Sequence, residues 1–319
     1  MKLYPLTFKP ILKERIWGGN QLKTLFNKPL VSDKTGESWE ISTVGEDQSL
    51  IANGIYSNKS FTSLITKYAQ EILGEKVHRQ FGPQFPLLFK FIDACEDLSI
   101  QVHPNDKLAQ KRHNSFGKTE MWYIIQADEN ARNIIGFKEK ISSEQYLQKL
   151  KNKDLLSVLQ EEKVRKGDVF FLETGTVHAI GKGIVLAEIQ QTSDITYRIY
   201  DWDRTDVNGN LRELHLDLAL EAINYNPTPT RLNYSDNVNE GNIIIECPYF
   251  STAYIPLNGK IEMQKNKDSF HVYMCIEGNF SILYNNQKYS FKKGDTILLP
   301  AVMNEYTLEG KAELLEVYI

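Results

Sequence analysis

The run RKGDVFFLETGTVHAIGKG, residues 165–183, returns without a gap as KKGDTILLPAVMNEYTLEG, residues 292–310. Lys166, Gly167, Asp168, Leu172 and Gly183 match Lys293, Gly294, Asp295, Leu299 and Gly310. In each copy a Gly-Asp turn leads into a short apolar strand, so one supersecondary unit is used twice. The repeat predicts two related β-domains in one chain. The copies differ where chemistry is concerned: His178 of the first aligns with Glu305 of the second.

Outward from the repeat, strand-like runs dominate. FPLLFKFID, LSIQVH, EMWYIIQA, IVLAEIQ and ITYRIYDW surround the first copy; NIIIECPYF, FHVYMCIEG and FSILYN precede the second. Helical spacing is confined to residues 60–73, 142–159 and 215–225, expected to cap a domain mouth and shield it from water. PTPTRLNYSDNVNEG, residues 227–241, has the composition of a linker or long surface loop. The expected division is 1–230 and 231–319.

The chain has 319 residues and a net charge of −4, which argues against a nucleic-acid partner. An anionic small substrate would need locally placed positive charge. No run is apolar enough for a membrane span, and MKLYPLTFKPILKERIW lacks the apolar core of an export signal. Cys95, Cys247 and Cys275 are odd in number and sit in or beside apolar runs. Buried free thiols in a reducing, cytoplasmic setting are the expectation.

LSIQVHPND, residues 98–106, alternates so that Ser99, Gln101 and His103 share one strand face. Glu120 opens the next strand, and His178 ends a third beyond the Thr-Gly-Thr turn. Strand ends in a barrel converge on one mouth. Two imidazoles, a carboxylate and an amide form a mixed nitrogen and oxygen set that suits zinc, with iron or manganese as rivals. His78, His113, His215 and His271 lack such context and read as structural or surface residues.

These features resemble the cupin superfamily, whose glycine-led histidine motif is matched by GDVFFLETGTVH. Glu173 replaces the motif's proline, which survives as Pro300 in the second copy. Gln101 stands for the usual first histidine, and PNDKLAQKRHNSFGKT intervenes before Glu120. LSIQVHPND, GKTEMW, GTVHAIGKG, SDITYRIYDWDR and the N-terminal PLTFKPILKERIWGG and GESWEIS together resemble the type I mannose-6-phosphate isomerase family in its compact bacterial form.

The resemblance implies a mainly β fold of two cupin (jelly-roll) β-barrels in tandem with helical insertions, and a metal site only in the first. It also implies one Zn2+ per chain on Gln101, His103, Glu120 and His178. The implied reaction interconverts mannose 6-phosphate and fructose 6-phosphate by proton transfer between C1 and C2 through an enediolate. Arg198 is then an active-site residue, holding phosphate or stabilising the enediolate; its structural alternative is a pair with Asp194 or Asp201. Arg204 reads as a surface or structural arginine.

Lys118 would hold phosphate or protonate an oxygen, although Thr119 stands where the family has proline. Lys90 either faces the interior, as the resemblance favours, or snorkels outward. Ser99 is a candidate phosphate donor. Glu188 is either solvent-facing or a buried carboxylate with a raised pKa, able to act as a base. The expected partner is a small sugar phosphate, with no nucleic acid or membrane, and the chain a monomer or weak homodimer. The competing readings are a non-catalytic sugar-phosphate sensor and an iron-dependent oxygenase, for which Gln101 is the wrong ligand.

Overall fold

In the computed structural model, which describes residues 3–30, 32–205 and 209–319, three of the apolar runs become adjacent antiparallel strands. Leu87–Ala94, Ile184–Gln191 and Glu120–Ala127 form the middle of a seven-stranded sheet. Thr35–Ile41 and Ile11–Gly19 extend it on one side, Val169–Leu172 and Arg231–Leu232 on the other. Both faces of the central strands are buried, which is why they read as nearly continuous apolar runs.

The two faces pack on different partners. Ile92, Trp122, Ile124 and Leu186 meet Ile135 of a five-stranded sheet and Ile180 just past one of its strands. That sheet runs Leu159–Lys163, Arg132–Phe137, His178–Ala179, Ile100–Val102, Tyr197–Tyr200. On the opposite face, Phe89, Phe91, Tyr123 and Ile189 meet Val272, Met274 and Leu315 of a C-terminal sheet. Three strands, Ser251–Gln264, His271–Tyr284 and Glu305–Tyr318, dominate that sheet. The chain is mainly β, and hydrogen bonding leaves each sheet an open path among the described residues.

The repeat has the same geometry in both copies. Gly167 and Gly294 both have φ +89°, a conformation that glycine adopts without a Cβ penalty. Their amides donate to Ile124 O and Cys275 O, each at 2.8 Å. The strands that follow pair in matching register: Leu172 lies opposite Glu120, and Leu299 opposite His271. On the next strand over, Trp122 lies opposite Glu188 and Tyr273 opposite Glu316. His271, Tyr273 and Glu316 therefore occupy the places of Glu120, Trp122 and Glu188.

Connections cross between the sheets. Leu6–Thr7 adds to the C-terminal sheet against Ile297 and Leu298. Arg231–Leu232, within the expected linker, pairs with Val169 and Phe170. Lys28, buried, donates to Glu40 Oε2 at 2.7 Å and to Gly294 O at 2.8 Å, tying the first part of the chain to the second copy's turn.

Several expectations need correction. The 60–73 helix is broken at Tyr68 into Phe61–Lys67 and Ala69–Leu73, and Glu75–Phe81 continues after Gly74. The 142–159 helix ends at Lys151, because Lys153 takes φ +56° and Leu159–Lys163 is drawn into the five-stranded sheet. The 215–225 helix spans Leu216–Ala222. Gln21–Phe26 and Asp106–His113 are further helices, the latter capped by Asn105 accepting from the Leu108 amide. FHVYMCIEG and FSILYN are one strand. Cys95, just past the end of a strand, is exposed, so only Cys275 of the three thiols is fully buried.

In the C-terminal sheet, buried Glu316 accepts from His271 Nδ1 at 2.9 Å, Lys265 Nζ at 2.8 Å and Tyr273 OH at 2.8 Å. Burial opposes its charge, but the His271 and Lys265 contacts outweigh this and hold its pKa at about 2. The folded value lies below the ordinary 4.5, so this stabilisation is present above about pH 4.5 and is lost as pH falls toward 2. Its full size is on the order of 3 kcal/mol. Acid titration of unfolding free energy should show that loss; in Glu316→Gln it should be absent, with lower stability at pH 7.

Candidate active site

Between the five- and seven-stranded sheets lies a cavity of about 380 Å³. Beside its lining residues Gln101 and Lys118, the ligand atoms of His103, Glu120 and His178 lie within 4.8 Å of one another, and all three residues are buried. The sheets bring them together. His178 lies opposite Gln101 in one sheet, while Glu120 comes from the facing sheet. Glu120 Oε1 is 3.4 Å from His178 Nε2, and Oε2 is 3.6 Å from His103 Nε2.

Hydrogen bonds fix both rings. His103 Nδ1 donates to Ile195 O at 2.8 Å, and His178 Nδ1 donates to Thr176 O at 2.9 Å. Each Nε2 therefore presents a lone pair to the cluster, the arrangement second-shell carbonyls give to metal-ligating histidines. Burial pushes His178 down to about 4 and His103 well below its ordinary value, so both rings are neutral. Burial raises Glu120 to about 7, with Lys118 opposing it.

Neither Glu120 oxygen has a properly formed hydrogen bond, although the residue has no solvent exposure. A buried, unsatisfied carboxylate between two imidazole lone pairs fits a divalent cation: the group could bind a metal. Gln101 adjoins it, with Nε2 3.3 Å from His178 Nε2. Presenting oxygen instead requires turning its amide over.

Cations surround the rest of the cavity. Lys118 Nζ lies 3.1 Å from His103 Nε2 and 3.2 Å from Glu120 Oε2. Burial works against its charge, but Glu120 and Glu188 more than offset it and raise the pKa. Opposite charges pair across the seven-stranded sheet in two places. Lys13 lies opposite Glu37, and Lys90, with Trp39 on its other side, lies opposite Glu188. Lys90 Nζ donates to Glu188 Oε1 at 2.7 Å, and Trp122 Nε1 to Oε2 at 3.0 Å.

With this geometry in place, the comparisons with known proteins are informative. A family model described as phosphomannose isomerase type I, catalytic domain, matches residues 6–129. A second, mannose-6-phosphate isomerase, cupin domain, matches residues 239–319. Mannose-6-phosphate isomerase ManA of Bacillus subtilis is 41% identical, with 98% of each chain covered. The mannose-6-phosphate isomerase of Streptococcus mutans is 34% identical over 98% of this chain and 97% of its own. The crystal structure of a Bacillus subtilis mannose 6-phosphate isomerase superposes with a TM-score of 0.92 at 36% identity, covering 99% of this chain and 100% of that one. The chain belongs to the type I mannose-6-phosphate isomerase family. It is an isomerase, and its C-terminal part is a cupin domain.

Every site residue expected from the sequence is at or beside the cavity of this isomerase. Ser99, Gln101, Lys90, Lys118, Glu188 and Arg198 line it, above the His103, Glu120 and His178 cluster. Lys90 faces inward and is buried. Glu188 is buried too, but its expected raised pKa is not observed. Burial acts in that direction, yet Lys90 and Lys118 overcome it and hold the carboxylate below its ordinary range. Arg198 makes no ion pair with Asp194 or Asp201 among the described residues; Nη1 donates to Glu213 O at 2.8 Å and Nε has no partner. Asp201 instead binds Arg204, at 2.5 Å, which is structural as expected.

The helices do not cover the mouth. Tyr146 and Ala219, from two of them, pack with Val102 and Tyr197 in a separate cluster on the five-stranded sheet. Lys13, Arg15, Trp17 and Arg212 line the cavity and were not singled out from sequence. For the first three the signal was present: KERIW places Lys13, Arg15 and Trp17 on one face of a strand. Arg212 lies beyond the last strand of its sheet and carries no local pattern.

The buried Lys90–Glu188 pair should be costly to break. Glu188→Gln leaves the buried Lys90 ammonium without its hydrogen-bonded ion-pair partner and is expected to lower unfolding free energy by about 3–5 kcal/mol in denaturant titration. Lys90→Met with Glu188→Leu should lose less than the single variant.

Proposed function

We propose that this isomerase interconverts mannose 6-phosphate and fructose 6-phosphate with one zinc ion per chain held by Gln101, His103, Glu120 and His178. One observation carries the reading: a sealed carboxylate whose Oε1 has no hydrogen-bond partner and whose Oε2 meets only the Lys118 ammonium at 3.2 Å, flanked by two Nε2 lone pairs beside a cavity lined by basic and acidic side chains. The names of relatives matched over nearly their whole length support mannose 6-phosphate as a substrate. When bound, the ion supplies Lewis acidity that stabilises negative charge developing on the sugar's carbonyl oxygen.

The protein groups divide the remaining work. Lys118 keeps its proton at neutral pH, so its Nζ is the donor nearest an oxygen held at the cluster. Glu188, ionised between Lys90 and Trp122, is the acceptor for the carbon-bound proton, with Lys90 orienting it. Arg198 has an unpartnered Nε and shares the cavity with Arg212, an arrangement that favours a dianionic phosphate over a second cation. Ser99 adds a hydroxyl donor on the same wall.

The same reading assigns residues 1–230 to the catalytic domain and 231–319 to a C-terminal one, as tandem jelly-roll barrels. The matched turn-and-strand units of the repeat support that pairing. The reading also takes the enzyme as a cytoplasmic monomer or weak homodimer acting on a free sugar phosphate, with neither nucleic acid nor membrane as partner.

Fructose 6-phosphate release from mannose 6-phosphate should stop on chelation and return with zinc. Folded protein that binds the sugar phosphate but turns none over at any metal loading would instead be a sensor. His103→Ala should lose both bound metal and turnover. Arg198→Ala should retain metal while kcat/KM falls by roughly 100-fold, read by steady-state kinetics and metal analysis.

A further inference from the structure

We propose that Tyr249, contributed by the C-terminal sheet, is a positioning residue for Lys118, acting through Asp106 and Gln191. The inference rests on the proposed reading in which Lys118 donates a proton at the cluster.

Residues 116–119, which carry Lys118, have no regular secondary structure, so no strand ladder holds their amides. Side chains and one carbonyl do so instead. The Gly117 amide donates to Asp106 Oδ1 at 2.8 Å, the Lys118 amide to Pro104 O at 3.3 Å, and the Thr119 amide to Gln191 Oε1 at 2.9 Å. Gln191 Nε2 returns to Asp106 Oδ1 at 2.9 Å. Asp106 is thus a hub that fixes the Gly117 amide directly and the Thr119 amide through Gln191, one on each side of Lys118. Gly117 packs so closely on it that a Cβ would fall 2.7 Å from the Asp106 amide nitrogen.

The other oxygen of the hub belongs to a distant part of the chain. Tyr249 OH donates to Asp106 Oδ2 at 2.9 Å. Tyr249 sits in the turn between Asn242–Glu246 and Ser251–Gln264, closed by the Cys247 amide on Phe250 O at 3.0 Å. Phe250 is buried beside Phe171 of the catalytic sheet, which keeps that turn in place. One hydroxyl of the C-terminal sheet therefore aims the carboxylate that aims the Lys118 backbone. Glu120 is held differently, by strand pairing to Leu172 and Gln190. Loosening the hub should move the ammonium and leave the metal cluster intact.

That separation gives the test. Tyr249→Phe keeps the ring and removes the hydroxyl, and with it the bond to Asp106 and a contact with the Thr119 side chain. Misplacing a proton donor lowers the chemical step more than substrate affinity, so kcat should fall by about tenfold with KM within about twofold. Zinc affinity, read by chelator competition on the metal-free protein, should be unchanged. In a Lys118→Ala background the same substitution should have no further effect on kcat, because the residue it acts through is gone. Unchanged kcat, a parallel loss of zinc affinity, or the same tenfold loss without Lys118 would each overturn the assignment. Wild-type protein that does not isomerise the sugar phosphate would sink the functional reading itself; an active wild type with an unaffected Tyr249→Phe sinks only this inference.

Discussion

A carboxylate sealed from water, with no well-formed hydrogen bond on either oxygen, is the constraint around which the catalytic half is arranged. Leaving such a group unsatisfied costs several kcal/mol, comparable to the net stability of a whole domain. The surroundings of Glu120 can be read as answers to that cost. Two imidazoles are locked in the tautomer that points lone pairs inward, so they add no competing donors. Lys118 brings charge to 3.2 Å, and burial still lifts the Glu120 pKa to about 7, so the ammonium alone does not balance the site. A divalent cation is the species whose arrival would.

The remaining cavity charges have to be kept apart from this cluster while facing the same space. Cross-strand register does this. Lys90 and Glu188 neutralise each other on neighbouring strands, and Glu37 is held at about 2 because Lys90 and Arg15 outweigh its burial. Arg198 lies opposite Gln101, one strand beyond the cluster. Its like-charged neighbour Arg212 lowers its pKa after burial has done so. Asp201, which pairs with Arg212 at 3.4 Å and with Arg204, partly offsets the two charges. The excess is local, on a chain whose net charge is −4.

Legibility in the sequence followed the range of the interaction that decides each feature. Strands buried on one or both faces, such as Leu87–Ala94 and Glu120–Ala127, announced themselves by composition, and the repeat announced the Gly-Asp turn in both copies. The strands Ser251–Gln264 and Glu305–Tyr318 did not, because the first passes from a buried half to an exposed one and the second from a mixed half to a buried one, so each pattern changes midway. Ligands spaced along one strand, Gln101 and His103, were legible at once. The pKa of Glu188 was not, because its sign depends on Lys90 and Lys118, which lie 98 and 70 residues away in sequence. Tyr249 reaches Asp106 over 143 residues and carries no motif at all.

The second copy shows what the framework does when no opening is required. At the places of Glu120, Trp122 and Glu188 stand His271, Tyr273 and Glu316, on the same pair of strands in the same register. There the glutamate is enclosed by His271, Lys265 and Tyr273, and Tyr273 OH lies 2.6 Å from Tyr306 OH. Its carboxylate ends with three donors, and its pKa falls to about 2 rather than rising. The glutamate common to both copies, Glu188 in the first and Glu316 in the second, is satisfied in each and has a lowered pKa. At the place of Glu120 the second copy carries His271, so the poorly satisfied carboxylate belongs to the first copy alone, while the second lends a tyrosine to the loop beside it.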